Sequence, residues 1–187
     1  MNKKTILLSL AGCAALAMAG TAVFKANVSN SIKADTTPIA RSIRFDNALD
    51  VVTDAGSTIG VEAREDRSSY ATLYENGKVC DMDSYAIIHV MSRDTNSLAV
   101  FENVTSIDIC YTAPGTSSDA LNIWLGKESV GDFSRDLSDY AYLPGTEGLY
   151  STYTYTPKDN RGQNVLIALF SNINGIEIDW MQINYTC

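Results

Sequence analysis

The carboxylates in two strand-like segments are the first candidates for chemistry. The segment GIEIDWMQINY (175–185) is apolar enough for a buried strand, yet it carries Glu177 and Asp179. The segment GVEARED (60–66) carries Glu62 in a similar setting. A charged group in such a strand needs a hydrogen-bond donor, a positive side chain or a cation, because burying an unpaired charge is costly. The fold must therefore supply a partner for each of these groups.

No sequence motif assigns these carboxylates to a catalytic centre. The sequence holds one histidine, His89, which alternates with Ile87 and Met91 in YAIIHVM, a spacing that favours packing in a strand. No glycine-rich phosphate loop, zinc signature or serine-nucleophile motif is found. The aspartates at 81, 83, 132, 136 and 139 are predicted to lie in solvated loops.

Alternating apolar residues predict an all-β fold. VTSIDICYT (104–112) alternates strictly, and DALNIWLG places Leu121, Ile123 and Leu125 on one face with Asn122 and Trp124 on the other. Similar short runs occur at 58–63, 70–74, 85–91, 149–156 and 164–170. Strands at this spacing, separated by turn residues, are typical of an antiparallel sandwich. Only DFSRDLSDYA (132–141) suggests helix, of one or two turns at most.

The closing segment predicts a β-bulge. Its apolar residues fall on two parities, with a change of phase between Trp180 and Met181. Side chains alternate strictly in a regular strand, so a change of phase requires an extra residue. Asp179 is therefore expected beside an irregularity, where a polar group finds partners.

Length and charge narrow the class of protein. The 187 residues predict one domain with a substantial core. The formal net charge is -8 and no Lys/Arg cluster occurs, which argues against a nucleic-acid partner. Neutral sugars, peptides and divalent cations remain compatible with this balance.

The N-terminus predicts export. Residues 1–26 read as a signal peptide, with a basic start, an apolar stretch and the small-residue pattern AMA; a lipoprotein site at Cys13 and an uncleaved anchor are the alternatives. Residues 27–40 are predicted to be a flexible linker, and residues 41–187 the β-sandwich domain. We expect the protein to be secreted or held at the cell surface. Export permits a disulfide among Cys80, Cys110 and Cys187, without indicating which two would pair.

Three motifs resemble the family 6 carbohydrate-binding modules, which are jelly-roll sandwiches. GVEARED (60–66) is similar to the opening strand of that family, and LYSTYTYT (149–156) to its segment with two aromatic residues three apart. GIEIDW (175–180) is similar to its closing strand. The resemblance extends over roughly residues 58–185 and implies a single jelly-roll domain that binds carbohydrate without catalysis.

The resemblance also implies a structural calcium ion. Carboxylates of the opening and closing strands would meet at one end of the sandwich, with Glu62 and Asp179 as ligands. Arg64 stands where the family has a second carboxylate, so Glu65 would have to take that place. Alternatively, the Arg64 guanidinium would pair with Asp179 in place of the ion.

Four residues are the implied sugar contacts. The resemblance places Tyr150 at the aromatic position of a loop-end cleft and Glu177 at the position of an asparagine that fixes the sugar. Where the second cleft ring is expected, this chain has Cys80 and Asp81, so Asp81 is the polar group there. Trp124 would form a separate platform on the sheet, or would simply pack.

Two other functions are compatible with the sequence. One is a structural or adhesive subunit of a surface assembly that associates with itself or with a cell-surface partner through its strands. The other is a small jelly-roll glycanase, in which Glu62 and Glu177 would have to face each other about 5–5.5 Å apart. The predicted partner of the binding module is a polysaccharide or oligosaccharide.

Overall fold

The described part of the chain lies between Pro38 and the C-terminus. The computed structural model describes residues 38–46, 48–74, 77–127, 137–158 and 164–187. The predicted signal segment, most of the predicted linker, Asp132 and Asp136 lie outside these residues. Within these ranges, no helix is long and apolar enough to cross a membrane.

The described residues form fourteen strands and one short 3₁₀ helix, Glu65–Tyr70. In chain order the strands are β1 (Ala40–Phe45), β2 (Asp50–Val52), β3 (Thr58–Ala63), β4 (Ala71–Leu73), β5 (Cys80–Met82), β6 (Ile87–Ser92), β7 (Ser97–Leu98), β8 (Phe101–Glu102), β9 (Val104–Thr112), β10 (Leu121–Lys127), β11 (Leu137–Leu143), β12 (Ser151–Tyr155), β13 (Asn164–Ser171) and β14 (Ile176–Thr186).

These strands form two antiparallel sheets. The six-stranded sheet has the order β12-β9-β14-β5-β4, and β1 pairs with β14 beyond the end of β5. The eight-stranded sheet has the order β11-β10-β13-β6-β3-β2, with β7 beside β6 and β8 beside β13. The chain crosses repeatedly from one sheet to the other, as in a jelly roll. The predicted all-β antiparallel sandwich is therefore confirmed.

The core lies between the sheets and follows the predicted alternation except at the start of β9. There Val104 is buried in the core and Thr105 is exposed, because the register with β14 shifts between Asn184 and Tyr185. Leu121, Ile123 and Leu125 of β10 are fully buried in it, together with Ile107 and Ile109 of β9. Asn122 and Trp124 belong to the other face of β10, the outer face of the eight-stranded sheet. Because side chains of a strand alternate across the sheet, burying one face determines what the opposite face displays.

The bulge in β14 occurs at Asp179. Ile178 pairs with Tyr111 of β9, whereas Trp180 pairs with the preceding residue, Cys110, so Asp179 is the extra residue. The predicted irregularity is confirmed, but the phase changes at Asp179 rather than after Trp180. As a result Trp180 does not join the core, and the Arg44 guanidinium lies 4.0 Å from its ring centroid.

Several strands were missed in the sequence. β1, β5 and β11 were not predicted, and Leu137–Leu143 form a strand where one or two helical turns were the only suggestion. The pairing also begins within the predicted linker, because Ile39 exchanges backbone hydrogen bonds of 3.0 and 3.2 Å with Cys187. Such strands are hard to recognise because pairing with a neighbour, rather than local pattern, stabilises them.

A disulfide, which export would permit, is not formed among the described cysteines. Cys80, Cys110 and Cys187 are all free thiols. Cys80 lies in the core, whereas Cys110 lies on the opposite face of the same sheet, with β14 between their strands. Cys187 is exposed at the chain end, where its sulfur accepts a hydrogen bond of 2.9 Å from Arg41 Nε. The sheet therefore separates Cys80 from Cys110.

Candidate functional site

The outer surface of the eight-stranded sheet carries a band of aromatic rings, which we call the aromatic face. Its members come from the loop before β6 and from β10, β11 and β13; they are Tyr85, Trp124, Tyr140, Tyr142 and Phe170. The outward positions of adjacent strands place these rings side by side, because cross-strand neighbours on one face lie within contact distance.

The rings lie on three adjacent strands, β11, β10 and β13, and on the loop before β6. Trp124 and Phe170 stack with centroids 4.8 Å apart and planes 13° apart. Phe170 lies 6.5 Å from Tyr85 on one side, centroid to centroid. On the other side, Trp124 is the register partner of Tyr140, whose ring centroid is 5.0 Å from that of Tyr142. The predicted platform residue Trp124 is thus one member of a larger aromatic surface.

An apolar layer lies beneath these rings. Ile87, Leu166 and Ala168 are buried on the outer side of the sheet, where Leu98, Trp124 and Phe170 pack against them. Trp124 and Phe170 are half-buried by this packing, whereas Tyr85, Tyr140 and Tyr142 are 60%, 49% and 57% exposed. The inner rings are thus held rigidly, while the three tyrosines present their rings and hydroxyl groups to solvent.

Asn122 lies at the base of the aromatic face. It is the register partner of Tyr142 on one side and of Phe170 on the other, and it precedes Trp124 by two residues on β10. Its exposed fraction is only 5%. Among the described residues, no group donates a hydrogen bond to its buried Oδ1 atom. A buried polar acceptor therefore lies on the same face as three aromatic residues and next to them in the sheet.

Charged groups around the aromatic face are already engaged. Asp139, the neighbour of Tyr140, accepts backbone hydrogen bonds of 2.8 Å from Tyr140 and Lys158. Asp119 accepts a hydrogen bond of 2.6 Å from the Asn172 side chain. Desolvation and the neighbouring Tyr140 and Asp119 raise the pKa of Tyr142, so its hydroxyl group is protonated at neutral pH.

The six-stranded sheet carries a second candidate position, a groove of about 410 Å³. Asp81 of β5 and Glu177 of β14 are register partners there, so the structure brings two of the predicted sugar contacts together. The groove is lined by Ser69, Tyr70, Thr72, Asp81, Met82, Asp83, Gly175, Ile176 and Glu177. We call it the acidic groove.

Each central carboxylate of the acidic groove has one engaged oxygen, and the other Asp81 oxygen, Oδ1, is buried without a partner among the described residues. The Tyr74 hydroxyl group donates a hydrogen bond of 2.5 Å to Asp81 Oδ2, and this bond raises the pKa of Tyr74. Lys78 Nζ pairs with Glu177 Oε2, and this hydrogen bond raises the pKa of Lys78. The sequence did not predict either donor, because Tyr74 and Lys78 lie between β4 and β5 and no local pattern shows which side chains they meet.

Tyr150 lies near the acidic groove rather than on the aromatic face. Tyr150 precedes Ser151, and Ser151 is the register partner of Tyr111 on β9. The residue after Tyr111 on β9 is Thr112, which is the register partner of Glu177 on β14. Tyr150 is 52% exposed. An aromatic ring missed by the sequence reasoning, Tyr70, lines the groove from the end of the 3₁₀ helix. The sequence EDRSSY has no helical period, so the 3₁₀ helix that places Tyr70 at the groove was not predicted.

The predicted calcium ligands are not brought together as one cluster. Glu62 belongs to β3 in the eight-stranded sheet, where its Oε2 lies 2.9 Å from Arg93 Nη1. Asp179 belongs to β14 in the other sheet, and β3 and β14 do not pair. Glu65 is exposed in the 3₁₀ helix. Over the described ranges, no group of three or more acidic, histidine or cysteine residues could hold a metal ion. Calcium binding by these residues stays a prediction.

The two alternatives built on these carboxylates are wrong. Arg64 pairs with Asp66, with 2.7 Å between Nε and Oδ1, rather than with Asp179. Glu62 and Glu177 lie on the outer faces of opposite sheets. Packed sheets are about 10 Å apart, so these two glutamates cannot flank one glycosidic bond at the separation that retaining glycosidases need.

No family model matches this chain, and no curated protein matches it. Similar solved structures include the C-terminal CBM6 of LamC, a laminarinase of Zobellia galactanivorans, with 10% identity and a TM-score of 0.39, covering 76% of this chain and 98% of that one. The module CBM29_1 of Piromyces equi matches with 12% identity and a TM-score of 0.47, covering 78% and 90%.

A third similar structure is the module CBM6cm-2 of Cellvibrio mixtus lichenase 5A in complex with cellotriose. It matches with 12% identity and a TM-score of 0.39, covering 68% of this chain and 98% of that one. Family 6 modules, which the sequence resembles, are thus among the matching structures. At these identities and scores, the similarities do not assign a function to the chain.

Proposed function

We propose that this protein is an exported, non-catalytic carbohydrate-binding module that binds a polysaccharide or oligosaccharide on its aromatic face. The observation that carries the proposal is the series of five rings on the outer surface of the eight-stranded sheet. Export follows from the signal segment predicted at residues 1–26.

The aromatic face has the two kinds of group that sugar recognition requires. A pyranose ring has an apolar side of C–H groups, which packs against an aromatic ring, and a rim of hydroxyl groups, which needs polar partners. Tyr140 and Tyr142 supply both, since each exposes a ring and a hydroxyl group. Trp124 and Phe170 stack on each other and are half-buried, so these two rings lose little side-chain freedom on binding.

The charge of the protein favours neutral glycans. The formal net charge of -8 repels polyanions at long range. A neutral chain of hexoses or pentoses does not meet this repulsion.

The acidic groove is the alternative location for the sugar. Its carboxylates accept hydrogen bonds from hydroxyl groups, Tyr70 lines it, and Tyr150 precedes β12 in the same sheet. However, Lys78 and Tyr74 occupy one oxygen each of Glu177 and Asp81. A ligand would have to compete with these bonds or use the remaining oxygens, whereas the exposed tyrosine rings of the aromatic face are available at once.

Affinity electrophoresis with matched tyrosine variants tests the location. Native gels would contain soluble xylan, mixed-linkage β-glucan or mannan, with polygalacturonate as the acidic control. We expect at least one neutral polysaccharide to retard the wild type. The retardation of the double variant Tyr140→Ala/Tyr142→Ala should be smaller than that of the wild type by a factor of about ten or more. Tyr150→Ala is the matched control, because it removes an equally exposed tyrosine from the other sheet.

Two results would overturn the proposal. If Tyr150→Ala abolished retardation and the double variant did not, the acidic groove would be the binding site. If none of the glycans retarded the wild type, carbohydrate binding itself would be rejected. Both variants alter exposed side chains, so thermal denaturation curves close to that of the wild type are expected for each.

A structural subunit is the second candidate function. It is favoured by β11, an edge strand of the eight-stranded sheet that carries Tyr140 and Tyr142. An unpaired edge bearing exposed rings suits association with a second strand. Sedimentation velocity over a hundredfold concentration range separates the candidates: a concentration-dependent dimer lost in Tyr140→Ala/Tyr142→Ala, without any glycan response, would favour the subunit.

A further inference from the structure

The side chain of Asn122 is unusual for a residue with only 5% of its surface exposed. Its Oδ1 atom is buried, and among the described residues it accepts no hydrogen bond. Buried polar atoms almost always have a partner, because leaving an acceptor unsatisfied destabilises the folded state. An exception of this kind in a native protein therefore calls for a reason.

The surroundings of Asn122 are those of a binding surface rather than of a core. The core-facing positions of β10 are the apolar residues on either side of it, Leu121 and Ile123. Asn122 instead shares the outer face with Tyr142, Phe170 and Trp124. An apolar residue at this position would complete the packing of these rings without leaving an acceptor unpaired.

We infer that Asn122 is the specificity-determining residue of the aromatic face and that its Oδ1 atom accepts a hydrogen bond from a hydroxyl group of a neutral sugar. This inference rests on the proposed function, since it assumes that a glycan binds on this face. A sugar unit packed on the rings beside Asn122 brings the hydroxyl groups of its rim to the level of the sheet. Because this acceptor is covered in the unliganded structure, a covering side chain has to shift on binding, and one of the hydroxyl groups then satisfies the acceptor that no described residue satisfies.

The recognised chemistry is a donor on an uncharged pyranose. An amide oxygen accepts a hydrogen bond and carries no charge, so it does not select for an amine or a carboxylate. A site that must satisfy a buried acceptor rejects a ligand lacking the donor more strongly than an apolar surface does, because the acceptor then stays unpaired. Asn122 thus adds selectivity to rings that by themselves bind many sugars.

The variant Asn122→Leu gives two opposite expectations. Leucine has nearly the same size but no acceptor, so the unliganded variant should be more stable than the wild type, with a melting temperature a few degrees higher. The binding test uses whichever of xylan, mixed-linkage β-glucan and mannan retards the wild type most. That polysaccharide should retard Asn122→Leu about tenfold less than it retards the wild type. A gain in stability with a loss of binding marks an acceptor kept for a ligand.

Other outcomes overturn the inference. Unchanged retardation of Asn122→Leu, with Tyr140→Ala/Tyr142→Ala still defective, would leave the aromatic face as the site and remove Asn122 from recognition. A lower melting temperature with intact binding would show that Asn122 is satisfied within the protein. If wild type is not retarded by any of the three glycans, this inference fails together with the proposed function. If Asn122→Leu shows no cooperative thermal unfolding, Asn122→Ala replaces it. Unchanged retardation of Asn122→Ala would then remove Asn122 from recognition.

Discussion

Trp124 and Phe170 stack almost face to face on the outer surface of the eight-stranded sheet, with 4.8 Å between ring centroids and 13° between planes. The other tryptophan, Trp180, belongs to the opposite sheet and lies against the Arg44 guanidinium. The chain has two tryptophans in all, one on each outer face of the sandwich. Tryptophan emission therefore reports separately on the two candidate positions.

We expect glycan binding to change the fluorescence of Trp124 and not that of Trp180. Titration of Trp180→Phe with the glycan that retards the wild type should show the same emission change as wild type, because Trp124 is retained. Trp124→Phe should show no change. A response that persists in Trp124→Phe and disappears in Trp180→Phe would place the ligand on the six-stranded sheet.

His89 predicts a loss of stability on acidification. Burial, together with the nearby Arg64 charge, lowers the pKa of His89 from 6.5 to about 4, against opposing contributions from Asp66 and Glu62. Between these two pH values the unfolded chain takes up a proton that the folded chain does not. Stability from this residue is thus complete above pH 6.5 and decreases as the pH falls towards 4, by at most about 3 kcal/mol.

Urea denaturation between pH 7.5 and 4 measures this effect. His89→Gln is the control, since glutamine does not titrate. The free energy of unfolding should fall more steeply for wild type than for His89→Gln between pH 6.5 and 4, and the two curves should run parallel above pH 7. Parallel curves throughout the range would show that His89 titrates alike in both states.

The thiols should differ in reactivity. The Cys187 thiol is exposed, whereas burial raises the pKa of the Cys80 thiol and keeps it protonated, and Cys110 is also buried. In a Cys13→Ser background, we expect an aromatic disulfide reagent to label one thiol rapidly in the native protein and three in denaturant. Cys187→Ser should abolish the rapid phase. Fewer than three thiols in denaturant under non-reducing conditions would instead indicate a bridge.

Arg93 bridges two strands, and this predicts a modest role for Glu62. The Arg93 guanidinium pairs with Asp50 of β2 at 2.8 Å and with Glu62 of β3 at 2.9 Å. It passes over Gly60, where a Cβ atom would lie 2.4 Å from Arg93 Nε. We expect Glu62→Gln to lower the free energy of unfolding by about 0.5 kcal/mol, since exposed ion pairs contribute little. Arg93→Ala should cost more, because it removes both pairs.

The same variant tests the calcium prediction. Melting curves of wild type and Glu62→Gln would be compared in 5 mM calcium and in chelator. A melting temperature that rises with calcium in the wild type, and does not in Glu62→Gln, would support Glu62 as a ligand. If Glu62 pairs with Arg93 and binds no calcium, Glu62→Gln should shift the melting temperature by the same amount in both solutions.

The sequence by itself determined several strands of the core and their faces. The alternation of residues 107–111 and the apolar parity of Leu121, Ile123 and Leu125 predicted which side of these two strands is buried. The change of phase in the closing segment predicted an irregularity beside Asp179, and the extra residue is Asp179 itself. These features are local, because the two-residue period of a strand ties each buried side chain to its neighbours along the chain.

Only the tertiary structure decided which side chains meet. Asp81 and Glu177 became partners because β5 pairs with β14, and Asn122 came to lie between Tyr142 and Phe170 because β10 lies between β11 and β13. Glu62 and Asp179 were separated because their strands joined different sheets. Strand order and register come from the packing of the whole core, and a single strand's sequence is compatible with many partners.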